Sequence, residues 1–227
     1  MNMPSHGEGA GYAGAAAPVV VLCCSPRAGG NSDMAGQAVA RGVMAVGGEC
    51  RTIFLREYCV LPCLGCDACA EGPGHRCVLA EKDDAETLFS AMLSASAVVV
   101  ASPIFFYHVP AGFKAFIDRG QRFFHARRAV AGGSGRKADP EEPRTPRPQA
   151  HTLLVSGRKK GARLFDGALL SLKYFFEYMG LELAEPTLLR GYDKPGDLAA
   201  DAALGARLAW RGGELWRAIS APGATGG

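Results

Sequence analysis

A short apolar strand followed by a glycine-rich loop is the feature that most restricts the fold of this chain. The run from Pro18 to Cys24 is too short for a helix and rich in valine, which is typical of a buried strand in a parallel sheet. The next residues, SPRAGGNS over Ser25–Ser32, lead into a helical pattern. A loop between a strand's carboxyl end and a helix's amino end offers free N–H groups and a favourable dipole to an anion.

The composition of this loop, termed the phosphate loop (residues 25–32), predicts a phosphate site. Gly29 and Gly30 let the backbone approach closely. The side chains that can donate to phosphate oxygens are Ser25, Arg27, Asn31 and Ser32. A nucleoside-triphosphatase loop is excluded because GxxxxGK[ST] is absent, and a low-molecular-weight phosphatase loop because no arginine follows Cys23 or Cys24 by six residues. The alternative is an ordinary strand-to-helix turn with a serine N-cap.

Strands and helices alternate along the rest of the chain. The expected strands are Pro18–Cys24, Cys50–Leu55, Ala97–Ala101, Thr152–Ser156 and one within Glu182–Leu189. This order predicts an α/β fold: a flavodoxin-like, doubly wound, five-stranded parallel sheet in the order 2-1-3-4-5, with helices on both faces. Pro186 places the fifth strand at an edge, in agreement with that order. Such sheets bind their ligand at the switch point between the first and third strands.

The helices are predicted from their caps and apolar spacing. We expect Ser32 to cap the first helix, Asp83–Asp84 to open another, Pro110 to start one that continues through Phe124, and Asp197 to cap the last. Another helix is expected over about Leu164–Met179.

Length and composition indicate one domain. The chain of 227 residues, 48% of them hydrophobic, can fill a single core. We expect a disordered tail over 1–17, a domain over 18–220 with a cysteine-rich loop at 57–82 and an exposed insertion at 129–150, and a flexible end over 221–227. A net charge of +3 does not indicate nucleic-acid binding. No apolar run would cross a bilayer, and no Lys or Arg precedes the apolar residues 13–24 as in a signal peptide, so we expect a cytoplasmic protein.

An apolar loop, SPIFFYHV, follows the third predicted strand. It contains three consecutive aromatic residues, which either fill the core beneath the loop or line a ligand site. Beside a phosphate loop at the switch point, such a loop suits a flat phosphorylated ring, and flavin mononucleotide (FMN) fits. The residues expected against the ring are Pro103, Ile104, Phe105, Phe106 and Tyr107, with Ser156 and Gly157 completing the pocket after the fourth strand. We interpret His108 as a hydrogen-bonding loop residue.

The segment from Glu57 to Lys82, termed the cysteine segment, holds five of the eight cysteines. The four predicted metal ligands, separated by two, two and seven residues, are Cys63, Cys66, Cys69 and Cys77. This spacing resembles a ferredoxin-type [4Fe–4S] site more than the paired ligands of a zinc site, and free thiols are the main alternative. Cys59 is a possible substitute ligand. The remaining cysteines, interpreted as small buried apolar residues, are Cys23, Cys24 and Cys50.

Together these stretches resemble the NADPH-dependent FMN reductase family, and most of all its iron–sulfur flavoprotein branch. The matching stretches are SPRAGGNS, PCLGCDACAEGPGHRC before DD, and ASPIFFYHVPAGFKAFIDR; the resemblance is close over Val19–Gln121 and looser in LLVSG and LLRGYDKPGDL. It places the four polar side chains of the phosphate loop on the family's phosphate site and Pro103–Phe106 on its ring loop. Members often have tyrosine at position 105, so a hydroxyl contact from there is missing. Lys114, Asp118 and Arg119 fall on a helix signature and are interpreted as structural or interface residues.

The resemblance implies an FMN-dependent oxidoreductase that forms a homodimer or homotetramer. Electrons would pass from NAD(P)H or reduced ferredoxin through FMN, with a [4Fe–4S] cluster, to a small-molecule acceptor or a ferredoxin-like protein. No GxGxxG motif follows a predicted strand, since the match at residues 9–14 precedes the first one, so NAD(P)H depends on the resemblance alone. Hydride transfer to the flavin needs no side-chain acid, and no catalytic residue is nominated. The alternatives are a cluster-free NAD(P)H:quinone or FMN reductase, a flavodoxin-like electron carrier, and a zinc-stabilised flavin-binding protein.

Overall fold

The computed structural model describes residues 17–130 and 147–221. The tail predicted for 1–17, apart from Ala17, most of the insertion predicted for 129–150, and nearly all of the end predicted for 221–227 lie outside the described residues. The boundaries proposed for the single domain remain predictions.

Six strands and eight α-helices make up the described part of the chain. The strands are β1 (Val19–Cys23), β2 (Cys50–Phe54), β3 (Ala97–Pro103), β4 (Gln149–Ser156), β5 (Glu182–Leu183) and β6 (Thr187–Arg190). The helices are α1 (Asn31–Ala45), α2 (Ala68–Glu71), α3 (Ala85–Leu93), α4 (Ala111–Arg119), α5 (Gln121–Val130), α6 (Asp166–Met179), α7 (Asp197–Ala200) and α8 (Ala202–Ser220). Short 3₁₀ helices cover Leu55–Glu57 and Pro73–His75.

The sheet has the predicted order. All strand pairs are parallel, in the order β2-β1-β3-β4-β5, and β6 also pairs with β4. In β1, Val19 lies between Cys50 of β2 and Ala97 of β3, and every residue of the strand is buried. The flavodoxin-like fold class is therefore confirmed, with the switch point between β1 and β3.

Helices cover both faces of the sheet and form two cores. Alternate residues of β1 point to opposite faces, so that Val20 and Leu22 join one core and Val19 and Val21 the other. The first core contains α3, α4 and α6, where the rings of Phe89 and Phe116 stack with centroids 4.4 Å apart. The second contains α1, α7 and α8.

Helices α1 and α8 pack closely through glycine. A Cβ at Gly42 would lie 1.7 Å from the carbonyl oxygen of Ala209, and one at Gly212 would lie 2.1 Å from that of Val39. Only residues without a side chain allow this backbone approach. The contact fixes α1, and with it the phosphate loop at the start of α1.

Three element boundaries differ from the predictions. Pro186 lies between β5 and β6, because a residue without an N–H interrupts pairing to β4. The helix predicted to run from Pro110 through Phe124 ends at Arg119, and α5 begins after Gly120. The long last helix is capped by Asp201, which accepts from Leu204 N–H at 2.9 Å, whereas Asp197 begins the short α7. Among the helices of residues 17–130 and 147–221, none has both the length and the apolar character needed to cross a membrane.

Candidate functional site: a nucleotide-type pocket and a cysteine-lined cavity

The phosphate loop is a tight turn at the carboxyl end of β1. The Ser25 hydroxyl accepts from the Arg27 N–H at 3.1 Å and donates to the Arg27 carbonyl at 2.9 Å, so this side chain shapes the turn. The Arg27 side chain itself is exposed. Gly30 is the N-cap of α1 and no side chain caps the helix, so the predicted Ser32 cap is wrong. The amino end of α1 is thus left to an external acceptor.

The Asn31 side chain has two partners within the protein. Its Nδ2 donates to the Lys194 carbonyl at 3.0 Å, and its Oδ1 accepts from the Leu198 N–H at 3.1 Å. The side-chain amide of Asn31 therefore holds α7 and the residues just before it against the phosphate loop. The second N–H of Nδ2, the Asn31 backbone N–H and the buried Ser32 beside it stay candidates for phosphate binding.

Asp33 is a member of this site that sequence reasoning missed. Its Oδ2 accepts from the Gly29 N–H at 3.1 Å and from Arg56 Nη1 at 2.8 Å, and its side chain is fully buried. Within the described residues, Oδ1 has no hydrogen-bond partner. Burial raises the pKa of Asp33, although the Arg56 guanidinium opposes this. The acidic residue directly after SPRAGGNS was the available signal; it ties the end of β2 to the phosphate loop.

The loop after β3 presents its aromatic residues to solvent. The N–H of Phe105 donates to the His108 carbonyl at 2.8 Å, and the N–H of His108 donates back at 2.9 Å, which closes a two-residue turn. Both turn residues have positive φ, 47° at Phe106 and 62° at Tyr107. The side chains of Phe105, Phe106 and Tyr107 are exposed, so the alternative that they fill the core is wrong. Ile104 packs against the core.

Positive φ at two consecutive aromatic residues is unfavourable. Two-residue turns of this geometry normally use Asn-Gly or Gly-Gly, since bulky side chains such as those of Phe and Tyr are strained there. Such strain concentrates at ligand sites. The turn holds an exposed aromatic surface, termed the ring loop (Pro103–Tyr107), at the carboxyl edge of the sheet.

A third loop, after β4, is attached to the ring loop. Ser156 Oγ accepts from the Arg158 N–H at 3.1 Å, and Arg158 Nη1 donates to the Tyr107 hydroxyl. The guanidinium lies 5.6 Å from the centroid of the Tyr107 ring. Gly157 lies so close to Asp193 that an added Cβ would be 2.2 Å from its Oδ1. Arg158, a basic residue directly after the predicted Ser-Gly, is a second residue that sequence reasoning missed.

The phosphate loop and the ring loop leave adjacent strands at the same edge. Cys24 N–H donates to the Ala101 carbonyl at 2.8 Å, which joins the end of β1 to β3. Ile104 N–H donates to the Val155 carbonyl at 2.8 Å, which joins the end of β3 to β4. A cavity of about 140 Å³ lies between the start of the phosphate loop and Pro110 at the start of α4. The structure therefore brings together the three loops that were predicted to share a ligand.

His108 is a hydrogen-bonding loop residue. Its Nε2 lies 2.9 Å from Ser171 Oγ. Burial, together with the positive charge of Lys114, lowers the pKa of His108, which keeps the ring neutral at pH 7. Its contact with Ser171 joins the ring loop to α6.

The four predicted metal ligands line one cavity. This cavity has a volume of about 290 Å³, and its wall includes Cys63, Cys66, Cys69 and Cys77 together with Asp118 and Gln121. Burial raises the pKa of Cys69, and the other three thiols contribute to the increase, as expected for neighbouring sulfur atoms. Cys59 is exposed and is not part of this wall. In the described part of the chain, no three His, Cys, Asp or Glu side chains are already placed to hold one metal ion.

The other cysteines have the apolar role that was predicted for them. Cys23 and Cys24 are buried in the two cores, and Cys50 packs against the second core. Burial raises the pKa of Cys23 to about 12 and that of Cys50 to about 11, so both remain thiols at neutral pH.

Hydrogen bonds close the base of the cysteine segment. Cys59 N–H donates to Asp84 Oδ2 and Asp84 N–H donates to the Cys59 carbonyl, both at 2.8 Å. Leu61 N–H donates to Asp83 Oδ2 at 2.8 Å, and its carbonyl accepts from Arg119 Nη1 at 3.1 Å. The two chain ends of the segment are therefore held side by side, against α4.

Arg119 is the central residue of this base. It forms an ion pair with Asp83 in which both side chains are 0% exposed. Among the described residues, its Nε and Nη2 groups have no hydrogen-bond partner. Burial alone would lower the pKa of Arg119, but Asp83 and the nearby Cys77 raise it above its ordinary value, so the side chain stays charged. A buried cation thus lies next to the wall of the cysteine-lined cavity.

Comparison with known proteins places this arrangement in a family. Residues 17–139, more than half of the chain, match the family described as NADPH-dependent FMN reductase. The chain belongs to the NADPH-dependent FMN reductase family. The matched region contains the phosphate loop, the ring loop and the cysteine segment. Membership in this family supports FMN as a cofactor and supports an oxidoreductase.

Curated relatives of this FMN reductase family member carry the name iron–sulfur flavoprotein. One from Archaeoglobus fulgidus is 33% identical over 85 residues, which cover 37% of this chain and 40% of the relative. One from Methanosarcina thermophila is 33% identical over 95 residues, or 42% of this chain and 48% of the relative. The chain therefore spans less than half the length of these two relatives. The predicted resemblance to the family and to its iron–sulfur flavoprotein branch is confirmed.

Solved structures support the fold of this family member. The NAD(P)H:quinone oxidoreductase from Methanothermobacter marburgensis is similar with a TM-score of 0.61 and 18% identity, over 88% of this chain and 96% of that one. At this level of identity the likeness shows the shared fold alone. It agrees with the sheet order described above.

Proposed function

We propose that this protein is an FMN-dependent oxidoreductase. It takes electrons from NAD(P)H or reduced ferredoxin and passes them through FMN, with a [4Fe–4S] cluster, to a small-molecule or protein acceptor. The observation that carries the proposal is the convergence of three loops at the switch point: a helix amino end without a side-chain cap, an exposed aromatic turn with positive φ, and an arginine linked to that turn. Phosphate and a flat ring are the two chemistries that these loops recognise.

The residues present fit FMN. The phosphate would be held by the amino end of α1, by Ser32 and by the exposed Arg27, while Ser25 and Asp33 keep the turn in shape. The ring loop would contact the isoalloxazine ring, with Arg158 and the Ser156–Gly157 turn closing the pocket on the β4 side. When bound, FMN accepts a hydride and releases electrons singly or in pairs. These residues bind and orient the group and exclude water from it.

The cysteine segment fits an iron–sulfur cluster. Four thiols surround one cavity of about 290 Å³, and a buried cation lies beside them, which suits an anionic, thiolate-bound group. The spacing of the cysteines and the names of the curated relatives support the same proposal. When bound, such a cluster carries single electrons. Cys63, Cys66, Cys69 and Cys77 would hold it.

The assembly and location of the protein are part of the proposal. Relatives in the family imply a homodimer or homotetramer, and the exposed ring loop of each copy offers apolar surface for contact with another. We propose that the protein works in the cytoplasm, where reduced thiols persist; all eight cysteines are free.

The decisive experiment is a visible spectrum of anaerobically purified protein, with FMN, iron, sulfide and zinc analysis. Bound FMN with about four irons and four sulfides per chain is the expected result. FMN without iron would indicate a cluster-free reductase, and zinc in place of iron a structural site. Protein that is colourless and does not bind added FMN contradicts the whole proposal. Steady-state oxidation of NAD(P)H with several acceptors then distinguishes an enzyme from an electron carrier.

A pair of variants tests the cysteine assignment. Cys66→Ser removes a thiol from the cavity wall and should abolish bound iron while leaving FMN in place, because the two sites use different segments. Cys59→Ser is the matched control, since the Cys59 side chain is outside that wall, and it should retain both groups. Iron that stays in Cys66→Ser, or leaves in Cys59→Ser, contradicts the ligand set.

A further inference from the structure

Arg119 has a feature that its ion pair does not explain. Its side chain is fully buried, yet only Nη1 is used, by Asp83 and by the Leu61 carbonyl. Nε and Nη2 have no partner among the described residues. Buried N–H groups of a guanidinium are seldom left unpaired, because the loss of water around them is not repaid. The Nε and Nη2 groups of Arg119 therefore indicate a further acceptor, one that is created when the proposed iron–sulfur cluster is bound.

The neighbouring acceptor is Cys77. It belongs to the wall of the cysteine-lined cavity, and its side chain lies close enough to the guanidinium to help raise the pKa of Arg119. Arg119 does not line that cavity itself; it lies against the wall and is fixed from the other side by Asp83. A thiolate is a stronger acceptor than a thiol, and charge-assisted N–H bonds to it are correspondingly strong.

We propose that Arg119 is a positioning residue for the iron–sulfur cluster, which donates from Nε and Nη2 to the Cys77 thiolate and raises the reduction potential of the cluster. This inference rests on the proposed function, since it requires the four cysteines to hold a cluster. A cluster becomes more negative when it is reduced, so a nearby cation and N–H groups aimed at a ligand sulfur stabilise the reduced form more. Asp83 offsets part of that charge and so sets the size of the effect.

Charge changes on the two members of the pair should move the potential in opposite directions. Arg119→Gln removes the cation and should lower the reduction potential of the cluster. Arg119→Lys keeps a positive charge but loses the paired N–H donors of the guanidinium, and it should lower the potential less. Asp83→Asn leaves Arg119 without its counter-charge and should raise the potential. A purely structural role for the pair would not give opposite signs.

The test is a redox titration of the whole, anaerobically purified protein, with the reduced cluster followed by electron paramagnetic resonance and FMN by absorbance. A tenfold change in the one-electron equilibrium corresponds to 59 mV, and we expect a decrease of at least this size for Arg119→Gln. The FMN potential should not move. The matched control is Arg122→Gln, which removes the cation of another ion pair of the same region, with Glu86; neither of these residues lines the cysteine-lined cavity.

Each result decides the proposal. Variants that keep their iron but leave the cluster potential unchanged, or shift it in one common direction, overturn the role of Arg119 and leave the proposed function intact. Failure of all three variants to fold or to retain iron assigns Arg119 and Asp83 a structural role and also overturns it. Wild-type protein that binds FMN but no iron overturns the cluster, and this inference with it.

Discussion

Phe106 offers a test in which binding and stability should move in opposite directions. Its side chain is fully exposed and its φ is 47°, so the residue costs the fold strain and gains no packing in return. Phe106→Gly removes the ring that we place against FMN and relaxes the backbone at the same time. Phe106→Ala is the matched control, because it removes the same ring but keeps a Cβ at positive φ.

The size of the effect follows from the turn geometry. A non-glycine residue in the left-handed region costs about 1–2 kcal/mol, and the added freedom of glycine in the unfolded chain takes back about 0.4–1 kcal/mol. Phe106→Gly should therefore raise the free energy of unfolding of the apoprotein by about 0–1.6 kcal/mol; the midpoint of about 0.8 kcal/mol corresponds to about 2–3 °C in Tm. Phe106→Ala should change it by less than about 0.5 kcal/mol.

Both variants should bind FMN more weakly, by about twofold to tenfold in Kd, the range expected for one lost aromatic contact. Urea denaturation of the apoproteins measures stability, and quenching of FMN fluorescence measures affinity. The reasoning about strain is refuted if Phe106→Gly is no more stable than Phe106→Ala. The placement of the ring is refuted if neither variant loses affinity for FMN.

Three further predictions follow from other parts of the structure. Arg27→Ala should raise the Kd for FMN about tenfold with an unchanged circular dichroism spectrum, because it deletes an exposed charged donor; unchanged affinity would count against the phosphate loop. Gly42→Ala should destabilise the fold by at least about 1–3 kcal/mol in urea, since its Cβ would clash with α8, whereas Gly112→Ala, with open space around it, should not. Burial and the charge of Lys114 lower the pKa of His108 below its ordinary 6.5. As the pH drops, the unfolded chain therefore binds a proton at His108 before the native protein does. The free energy of unfolding should fall as the pH drops from 7 to 5. His108→Gln should reduce that slope, and an identical slope would show that His108 does not cause it.

The sheet could be predicted from the sequence because its signals are local. Valine-rich strands, the loop after β1 and the proline at position 186 are each visible in a few consecutive residues, and together they restrict the strand order. The boundaries that were wrong depend on contacts from elsewhere. Gly120 ends α4 where an added Cβ would meet Phe175 at 3.1 Å, and Asp201 takes the cap that Asp197 was expected to provide.

The sequence identifies the three loops and the cysteine segment as candidate sites, and it marks Arg119 as structural, but it does not reveal the contacts that hold these segments in shape. The sequence of each loop indicates which of its side chains could bind a ligand. It does not indicate the hydrogen bond from Asn31 to the Lys194 carbonyl, because the two residues are 163 positions apart. The pairing of Arg119 with Asp83 joins residues 36 positions apart, and neither carries a pattern that signals it. Positive φ at Phe106 contradicts the local preference of phenylalanine, so the sequence does not predict the geometry of this turn.

The closed base of the cysteine segment makes the length of that segment independent of the sheet. Because Cys59 is bonded to Asp84, and Leu61 to Asp83 and Arg119, the chain between Leu61 and Asp83 can change in length while β2 and α3 stay in place. Doubling a loop costs only about 0.6 kcal/mol in closure entropy. A change in the length of the cysteine segment therefore leaves the carboxyl edge of the sheet, with its three loops, unaltered.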